Sequence, residues 1–304
     1  MLLSIIIVNW NTKELLRKCI QSIMSNAPSF DYEIIVIDNA STDGSADMLK
    51  YELSKDQYLD RFDSVTNAHV IINEKNLGFA KANNQGIKRA KGDYILLLNP
   101  DTEVQHNCLQ RTVNFLNEFK EVGILGCKLL NPDRTLQHSV RKFPTLMSQV
   151  LILLKLHNLF PTLKSLQNYF LPNFDYNKSQ EVDQVMGAYF LINRKVIDKI
   201  GMLDEKYWIW FEEVDYCKMA KNAGFQVYYF KDAETIHQKA QAFNQVLGIK
   251  KQVYLNNSLL HYFNKFHSLF SVLVILFLYP ISLFLALIVD FVKLFIPVKK
   301  KENL

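Results

Sequence analysis

The sequence has few cysteines, and they lack the spacing of a metal site or a disulfide framework. The four are Cys19, Cys108, Cys127 and Cys217 in a chain of 304 residues, and no two form a Cys-x-x-Cys pair. Zinc sites and disulfide-rich domains need closely and regularly spaced cysteines. Because each cysteine lies among apolar residues or in a helical pattern, we interpret all four as buried free thiols of a reducing compartment.

Other missing patterns exclude further classes of protein. No Gly-x-Gly-x-x-Gly follows the first apolar segment, where Val8-Asn9-Trp10-Asn11 stands instead, and this argues against a dinucleotide-binding enzyme. No basic leader precedes residues 1–8, so we expect the catalytic part to stay in the cytoplasm. The net charge is only +5, which fits phosphate ligands or anionic lipid headgroups and does not argue for nucleic acid.

Strand-like and helix-like segments alternate through the first 240 residues. Apolar runs at 2–8, 33–37, 69–72, 94–98, 186–192 and 226–230 predict strands. Helical spacing predicts helices at 79–90, 195–200 and 212–222, and Asn11 with Glu14 predicts the start of another. A hairpin is expected around Asn131-Pro132-Asp133, whereas residues 141–182 show no assignable pattern. The alternation predicts an α/β fold with a mostly parallel sheet flanked by helices.

Polar segments follow four of the predicted strands at the point where each strand ends. They are residues 9–11, 38–45, 73–78 and 99–101. In open α/β sheets, ligands bind beyond the carboxyl ends of the strands. We therefore expect these segments to gather along one edge of the sheet and to form a binding site there.

The C-terminal part of the chain differs in composition from the rest. Residues 268–289 contain no charged side chain, and as a helix they would extend about 33 Å, close to the thickness of a bilayer core. Lys265 precedes this segment, and Lys293, Lys299, Lys300 and Lys301 follow it. A single membrane span and a hairpin bent at Pro280 are both open, and a buried core helix is the alternative.

Two acidic segments are candidates for chemistry. Asn99-Pro100-Asp101 ends a strand abruptly, and its carboxylate could bind Mg²⁺ or Mn²⁺, although Asn-Pro-Asp is also ordinary turn chemistry. Glu212-Glu213-Val214-Asp215 follows a cluster of aromatic residues and could supply a general base. If a helix begins near Glu212, then Glu212 and Asp215 share a face and Glu213 points elsewhere. Acidic residues also favour the first turn of any helix.

Two further residues have open interpretations. His237 follows a strand and could bind a metal, contact a sugar or lie on the surface. Asp38 could accept a hydrogen bond from a nucleoside, or the loop after it could simply cap a helix through Ser41, Thr42 or Asp43.

The segments become specific when they are taken together and in order. They are Ser4–Asn11 (SIIIVNWN), Val36–Ser45 (VIDNASTDGS), Asn76–Gly86 (NLGFAKANNQG), Leu97–Thr102 (LLNPDT) and Phe211–Asp215 (FEEVD). This set resembles glycosyltransferase family 2, a family of inverting enzymes with the GT-A fold, and it is most similar to the rhamnosyltransferase branch. The resemblance covers about residues 1–240.

The resemblance implies roles for residues at matching positions. Nucleotide-sugar binding is implied for Val8, Asn9, Asp38, Asn76, Gly78, Asn99, Gly187 and Ala188. Metal binding is implied for Asp101 and His237, and the catalytic base is Glu213, flanked by Glu212 and Asp215 near the acceptor. The family's Asp-x-Asp motif departs here, because Asn99 replaces its first acid, and the base is Glu where many relatives have Asp.

The resemblance also implies an activity and a location. We expect an inverting transfer, dependent on Mg²⁺ or Mn²⁺, from a nucleoside-diphosphate sugar to a lipid-linked or polysaccharide acceptor in bacterial cell-surface glycan synthesis. The first donor to test is dTDP-rhamnose. A GT-A domain at 1–245 and a membrane-associated segment at 246–304 would place the enzyme at the cytoplasmic face of the cell membrane. The alternatives are a non-catalytic nucleotide-sugar-binding protein on the same fold and a membrane-anchored assembly protein.

Overall fold

The structure is a computed structural model that describes residues 2–52, 65–238 and 245–295. Its strands are β1 (Leu3–Asn9), β2 (Tyr32–Asp38), β3 (Val65–Ile72), β4 (Tyr94–Leu98), β5 (Thr102–Val104), β6 (Val122–Leu130), β7 (Leu136–Gln137), β8 (Val140–Arg141), β9 (Gln180–Glu181), β10 (Gln184–Val185), β11 (Tyr189–Asn193) and β12 (Gln226–His237). Its helices are α1 (Lys13–Ser25), α2 (Ser45–Glu52), α3 (Phe79–Arg89), α4 (Cys108–Glu118), α5 (Leu146–Leu153), α6 (Lys164–Phe170), α7 (Arg194–Ile200), α8 (Glu212–Asn222), α9 (Gly248–Phe266) and α10 (Leu269–Phe295). The predicted α/β class is confirmed.

The main sheet has the strand order β3-β2-β1-β4-β11-β6-β12-β5. The first four strands are parallel, and β6 and β12 are also parallel, whereas β11 runs antiparallel between β4 and β6. A small second sheet pairs β8 with β10. The mostly parallel sheet predicted from the sequence is therefore confirmed, with one reversed strand in its middle.

The central strands are buried on both faces, which explains their continuous apolar sequences. Every residue of β1, β2 and β4 is buried, and β-branched Ile and Val dominate the first two. The buried residues form one core on each side of the sheet. All four cysteines are buried thiols, as predicted.

Three local predictions differ from the structure. Asn11 does not start α1; it has a left-handed backbone, and its side chain accepts a hydrogen bond from the Thr42 amide, so the helix begins at Lys13. Residues 141–182, left unassigned, contain α5 and α6, whose short apolar patches give too few turns to show a clear period. The strand expected at 186–192 begins only at Tyr189. The hairpin at Asn131 is confirmed by the pairing of β6 with β7.

The C-terminal helices pack antiparallel against each other and against the sheet domain. Leu259, Tyr262 and Phe263 of α9 belong to the same core as the strands. Pro280 lies inside α10, which continues past it, so the hairpin bent at this proline is wrong. Lys299, Lys300 and Lys301 lie outside the described residues, and the boundary at residue 245 stays a prediction.

Candidate functional site

A large cavity opens beyond the carboxyl ends of the parallel strands. Its volume is about 680 Å³, which is the size of a typical cavity for a small organic ligand. Ten of the thirteen residues predicted for the site line it: Val8, Asn76, Gly78, Asn99, Asp101, Gly187, Ala188, Glu212, Glu213 and His237. These residues come from six separate stretches of the chain, so the predicted convergence at the sheet edge is observed.

The other three predicted residues do not line the cavity. Asn9 and Asp38 are fully buried, and the Asn9 side-chain amide donates to the Asp38 carboxylate at 2.9 Å. Successive residues of a strand point to opposite faces, so Val8 can reach the cavity while Asn9 points away from it. Asp38 also accepts a hydrogen bond from the Ser41 amide, so its carboxylate stabilises the loop after β2.

Asp215 faces α9 instead of the cavity, and this corrects the expected distribution of the acids on α8. Its carboxylate lies 2.8 Å from the Lys265 ammonium and accepts a hydrogen bond from the Tyr207 hydroxyl. Burial raises the pKa of Asp215, and Lys265 opposes this effect. Because α8 begins at Glu212 beside the cavity, its first two carboxylates, Glu212 and Glu213, both border it.

The loop after β3 is held by Asn39, which the sequence did not predict as a site residue. The side-chain oxygen of Asn39 accepts hydrogen bonds from the Leu77 amide and from the Asn73 side chain. Its side-chain nitrogen donates to the Asn76 side chain at 2.9 Å. Asn39 also lines the cavity. One buried amide therefore fixes the position of the loop that carries Asn76 and Gly78.

Gly78 brings this loop against the aromatic segment before α8. Its backbone angles, φ 84° and ψ 167°, lie in a region that only glycine occupies at low cost. A Cβ added there would sit 2.8 Å from the Trp208 carbonyl oxygen and 3.0 Å from its ring. The Phe79 amide donates to that same carbonyl at 2.7 Å. The contact thus requires glycine for both its backbone angles and its lack of a side chain.

We expect Gly78→Ala to lower the free energy of unfolding by about 1–3 kcal/mol and to weaken nucleotide binding, because Trp208 must move. The matched control is Gly201→Ala, since Gly201 has φ 83° and no atom within 4 Å of an added Cβ. That variant carries the backbone strain without the steric clash. Urea unfolding measures the first effect, and titration with nucleoside diphosphate measures the second. Equal nucleotide affinity in both variants would contradict a role for the Gly78–Trp208 contact.

Strand pairing explains how Asp101 and His237 meet. Asp101 immediately precedes β5, and β5 pairs antiparallel with the end of β12 so that Thr102 lies opposite His237. The Gln238 amide also donates to the Asp101 carbonyl at 2.9 Å. As a result, the His237 Nε2 atom lies 3.4 Å from a carboxylate oxygen of Asp101, and both side chains are buried at the cavity wall.

The ring of His237 presents an unpaired nitrogen to that carboxylate. Its Nδ1 atom lies 2.6 Å from the Gln137 side-chain oxygen, which can only accept, so Nδ1 carries the hydrogen. The Gln137 amide is oriented by its own donation to Asn131 and to the His237 carbonyl. In the neutral ring, Nε2 is therefore a buried lone pair that faces the Asp101 carboxylate and has no hydrogen-bond partner within the described part of the chain.

A divalent cation fits this arrangement. Within the described ranges no group of three or more His, Cys, Asp or Glu side chains could hold a metal by itself. Mg²⁺ and Mn²⁺, however, often take only one or two protein ligands and complete their coordination with phosphate oxygens and water. A lone pair and a carboxylate that face each other at 3.4 Å would repel without a cation between them. Asp101 and His237 are the residues that would hold it.

Glu212 and Glu213 form a buried acidic pair that also borders the cavity. Burial, together with the charge of Glu213, raises the pKa of Glu212 well above its usual range. Burial also raises the pKa of Glu213, while the Arg141 guanidinium opposes that rise. One buried oxygen of each carboxyl group has no hydrogen-bond partner among the residues that the structure describes. Within this pair, the Arg141 guanidinium favours the ionised form of Glu213.

We expect Glu212→Gln to gain stability relative to the unmodified protein as pH rises from about 5 to 8. The folded state holds the Glu212 proton more tightly than the unfolded state, so the stability from this group is full below the unfolded pKa. It is lost as pH rises toward the folded pKa, and Gln removes that loss. Melting temperatures measured across the pH range test this, and a constant difference between the two proteins would contradict it.

Several lining residues were not predicted, because they come from parts of the chain without a readable pattern. Arg141 is held by the small β8–β10 sheet, beside the rings of Tyr169 and Phe170. Leu247, Lys250 and Tyr254 come from the start of α9, which the sequence reading assigned to the membrane segment. Aromatic residues before α8 complete the wall, and Trp208 stacks on Tyr254 with ring centroids 6.0 Å apart.

The chain is similar to known proteins along most of its length. A family model described as Glycosyl transferase family 2 matches residues 4–201. The low-salt glycan biosynthesis hexosyltransferase Agl10 of Haloferax volcanii is 24% identical over 78% of this chain and 67% of its own length. The N-acetylglucosaminyl-diphospho-decaprenol L-rhamnosyltransferase of Mycobacterium tuberculosis is 22% identical over 72% of this chain and 70% of its own length.

Some relatives are much longer than this chain, which spans 19% and 24% of two of them. Among solved structures, a mannosyltransferase from Pyrobaculum calidifontis, in complex with GDP-Man and Mn²⁺, superposes with a TM-score of 0.58. That match has 14% sequence identity and covers 93% of this chain and 72% of the other. At this level of identity the match is informative about the fold.

Proposed function

The chain belongs to glycosyl transferase family 2, and from that premise we propose that it is an inverting, metal-dependent enzyme that transfers a sugar from a nucleoside-diphosphate sugar. The fold is GT-A, and the protein is a hexosyltransferase of the rhamnosyltransferase-like branch. The observation that carries the mechanism is that Asp101 and Glu213, 112 positions apart in the chain, border one cavity of about 680 Å³.

The proposed reaction is a single displacement. The Glu213 carboxylate takes the proton of an acceptor hydroxyl while that oxygen bonds to the anomeric carbon of the donor sugar. The bond from the anomeric carbon to the diphosphate breaks, and its electron pair leaves with the nucleoside diphosphate. One attack from the face opposite the leaving group inverts the anomeric configuration. A divalent cation bound at Asp101 and His237 would offset charge on the departing diphosphate.

The residues around Glu213 support its assignment as the base. Burial raises its pKa toward the working pH, which improves proton transfer from a hydroxyl. Arg141 is close enough to limit that rise and lines the same cavity, so Glu213 can remain ionised. The charge of Glu213 also raises the pKa of Glu212, so the buried pair favours holding one proton between them.

The donor and acceptor are proposed from the relatives and from the C-terminal helix. We propose dTDP-rhamnose as the donor, because a relative over most of the chain is an L-rhamnosyltransferase. The name of that relative also specifies a decaprenol-linked acceptor, and we propose a lipid-linked glycan acceptor in cell-surface glycan synthesis. The apolar helix α10 supports attachment to the cytoplasmic face of the cell membrane, where such an acceptor would be held.

A donor panel tests the proposed function. The full chain would be incubated with dTDP-rhamnose, UDP-N-acetylglucosamine and GDP-mannose, each with Mn²⁺ or with EDTA. We expect one donor to raise the melting temperature only with Mn²⁺, and to release nucleoside diphosphate that EDTA abolishes. Stabilisation by a donor without any release or transfer would support a non-catalytic binding protein. Release that is unaffected by EDTA would contradict the metal site.

A further inference from the structure

The helix α10 carries two different faces along its whole length. Its inward face is a narrow stripe of buried residues: Ser271, Ile275, Leu278, Ser282 and Ala286. Its outward face is exposed and apolar, and it includes Phe270, Phe277, Phe284 and Phe291, each between 62% and 71% exposed. These four rings recur every seven residues, a spacing that keeps them on one side of a helix.

The inward face holds α10 alongside α9, with the two helices antiparallel. At the middle of the pair, the Asn256 amide donates to the Ser282 hydroxyl at 2.6 Å, and the Tyr279 hydroxyl donates to Asn257 at 2.8 Å. At the far end, the Asp290 carboxylate packs against the backbone of Gly248, where no side chain would fit. The two helices are therefore joined at separate points along the length of α9.

In turn, α9 is fixed to the sheet domain by its opposite side. The Ser258 hydroxyl donates to the Ile209 carbonyl, and His261 lies 2.9 Å from the Asp204 carboxylate. Lys265 contacts the buried Asp215 of α8. Since α9 carries these charged and polar contacts, it cannot enter a bilayer, and a helix joined along its length to α9 cannot stand across one.

We propose that α10 lies in the plane of one membrane leaflet, with its outward phenylalanine face in the acyl chains, and does not cross the bilayer. By length and composition, Leu269–Val292 qualifies as a span, with a mean hydropathy of 2.9. The same stretch is mostly exposed, so it is not a core helix. Crossing would require α10 to leave α9, which would break the hydrogen bonds from Asn256 to Ser282 and from Tyr279 to Asn257.

A bilayer is the occupant that this face fits. The outward face has no charged side chain from residue 269 to residue 289, so no polar group limits it to one matching protein surface. It extends for about 30 Å between Phe270 and Phe291, longer than a single protein contact needs. One cationic side chain, Lys250, is exposed at the start of α9, near the point where Asp290 of α10 packs on Gly248. Such a combination is typical of helices that lie in the interface of anionic membranes.

This orientation also places the cavity. Leu247, Lys250 and Tyr254 of α9 line it, and Asp290 of α10 packs beside them at Gly248. The membrane-facing helix therefore ends next to the cavity mouth, where Leu247 is 67% exposed. A lipid-linked acceptor could reach Glu213 from the leaflet without leaving it, with its phosphates near Lys250. This last step rests on the proposed function, whereas the in-plane orientation does not.

Depth measurements with spin labels test the proposal. Single cysteines at Phe270, Phe277 and Phe284 of the full chain would be labelled, and the protein would be bound to vesicles of mixed zwitterionic and anionic lipids. The four native thiols are buried, and unmodified protein gives the labelling background. Glu118→Cys, at an exposed site of α4, is the aqueous control. Relative accessibility to oxygen and to a polar nickel complex gives the depth of each label.

We expect the three helix labels to lie at equal depth in the acyl region, within a few ångströms. A helix that crosses the bilayer would instead separate the Phe270 and Phe284 labels by about 20 Å along the normal. Such a gradient would overturn the proposal, and so would labels that are shielded from lipid by a second copy of the chain. Sugar transfer is assayed separately on the same vesicles: loss of transfer with equal depths would overturn the function and leave the orientation standing.

Discussion

Replacing Glu213 by Gln is expected to lower kcat by about two to four orders of magnitude, while the donor affinity changes little. The amide keeps the size and shape of the side chain but cannot accept the proton of the acceptor hydroxyl. General-base catalysis usually contributes a factor of about 10² to 10⁴. Single-turnover transfer with radiolabelled donor sugar measures the rate, and titration with nucleoside diphosphate measures the binding.

The control for this variant is Glu118→Gln, which makes the same chemical change at an exposed position of α4. It should transfer sugar at the unmodified rate. The neighbouring Glu212→Gln variant separates the two acids of the pair, because each variant removes one carboxyl group and leaves the other in place. If Glu213→Gln kept near-normal turnover while Glu212→Gln lost it, the base would be Glu212 and the assignment would be wrong.

The pH dependence of the reaction should follow the same pair. Because burial raises the pKa of Glu213, the acid limb of kcat/KM should lie above the usual range of a glutamate. The Arg141 guanidinium opposes that rise, so removal of its charge in Arg141→Met should move the acid limb to still higher pH. Initial rates of transfer across the pH range measure the acid limb of the unmodified protein and that of Arg141→Met. An unchanged limb in Arg141→Met would show that Arg141 does not influence the base.

The sequence was most informative where function and strand ends coincide. Asn76, Asn99 and Asp101 could be predicted because apolar strands end in polar residues, and parallel strands end at the same edge. His237 was a candidate from its place after a strand, but only the resemblance implied that it binds a metal. The contact of His237 with Asp101 depends on the antiparallel pairing of β5 with β12. Because β5 has only three residues, its sequence does not predict that pairing.

Predictions failed where tertiary packing decides the direction of a side chain. Helical spacing placed Glu212 with Asp215 and separated Glu213, yet Asp215 is drawn to Lys265, a residue 50 positions away. Similarly, Asp38 was predicted to bind the nucleotide and Asn39 was not, although the amide of Asn39 makes the hydrogen bonds that shape the loop. Spacing along one element gives relative directions, but the partners that fix an orientation lie elsewhere in the chain.

The C-terminal region shows the same limit on a larger scale. Its apolar composition predicted a membrane-associated segment, and its outward face agrees with that prediction. Composition could not predict that α9 would contribute Lys250 and Tyr254 to the cavity wall. A boundary at residue 245 therefore separates two parts of the sequence that share one site, and removal of α9 and α10 would open the cavity.

The second large effect is expected at Gln137, which contacts neither substrate nor the base. Its side-chain oxygen accepts the Nδ1 hydrogen of His237 and thereby leaves Nε2 as the lone pair that faces Asp101. We expect Gln137→Leu to weaken Mn²⁺ binding by about 10- to 100-fold, because the ring loses both its fixed orientation and its fixed tautomer. The Mn²⁺ dissociation constant is measured in the presence of nucleoside diphosphate, from the electron paramagnetic resonance signal of free Mn²⁺.

A conservative variant keeps this test informative if leucine disturbs the fold. Gln137→Glu retains an oxygen that accepts from Nδ1, so it should bind Mn²⁺ more tightly than Gln137→Leu does. Asn131→Ala is the matched control, since it removes a partner of the Gln137 amide but leaves the contact between Gln137 and the ring. Equal Mn²⁺ affinity in the leucine, glutamate and unmodified proteins would mean that the tautomer of His237 is irrelevant to metal binding. His237 would then only line the cavity, and Asp101 would remain as the proposed protein ligand of the cation.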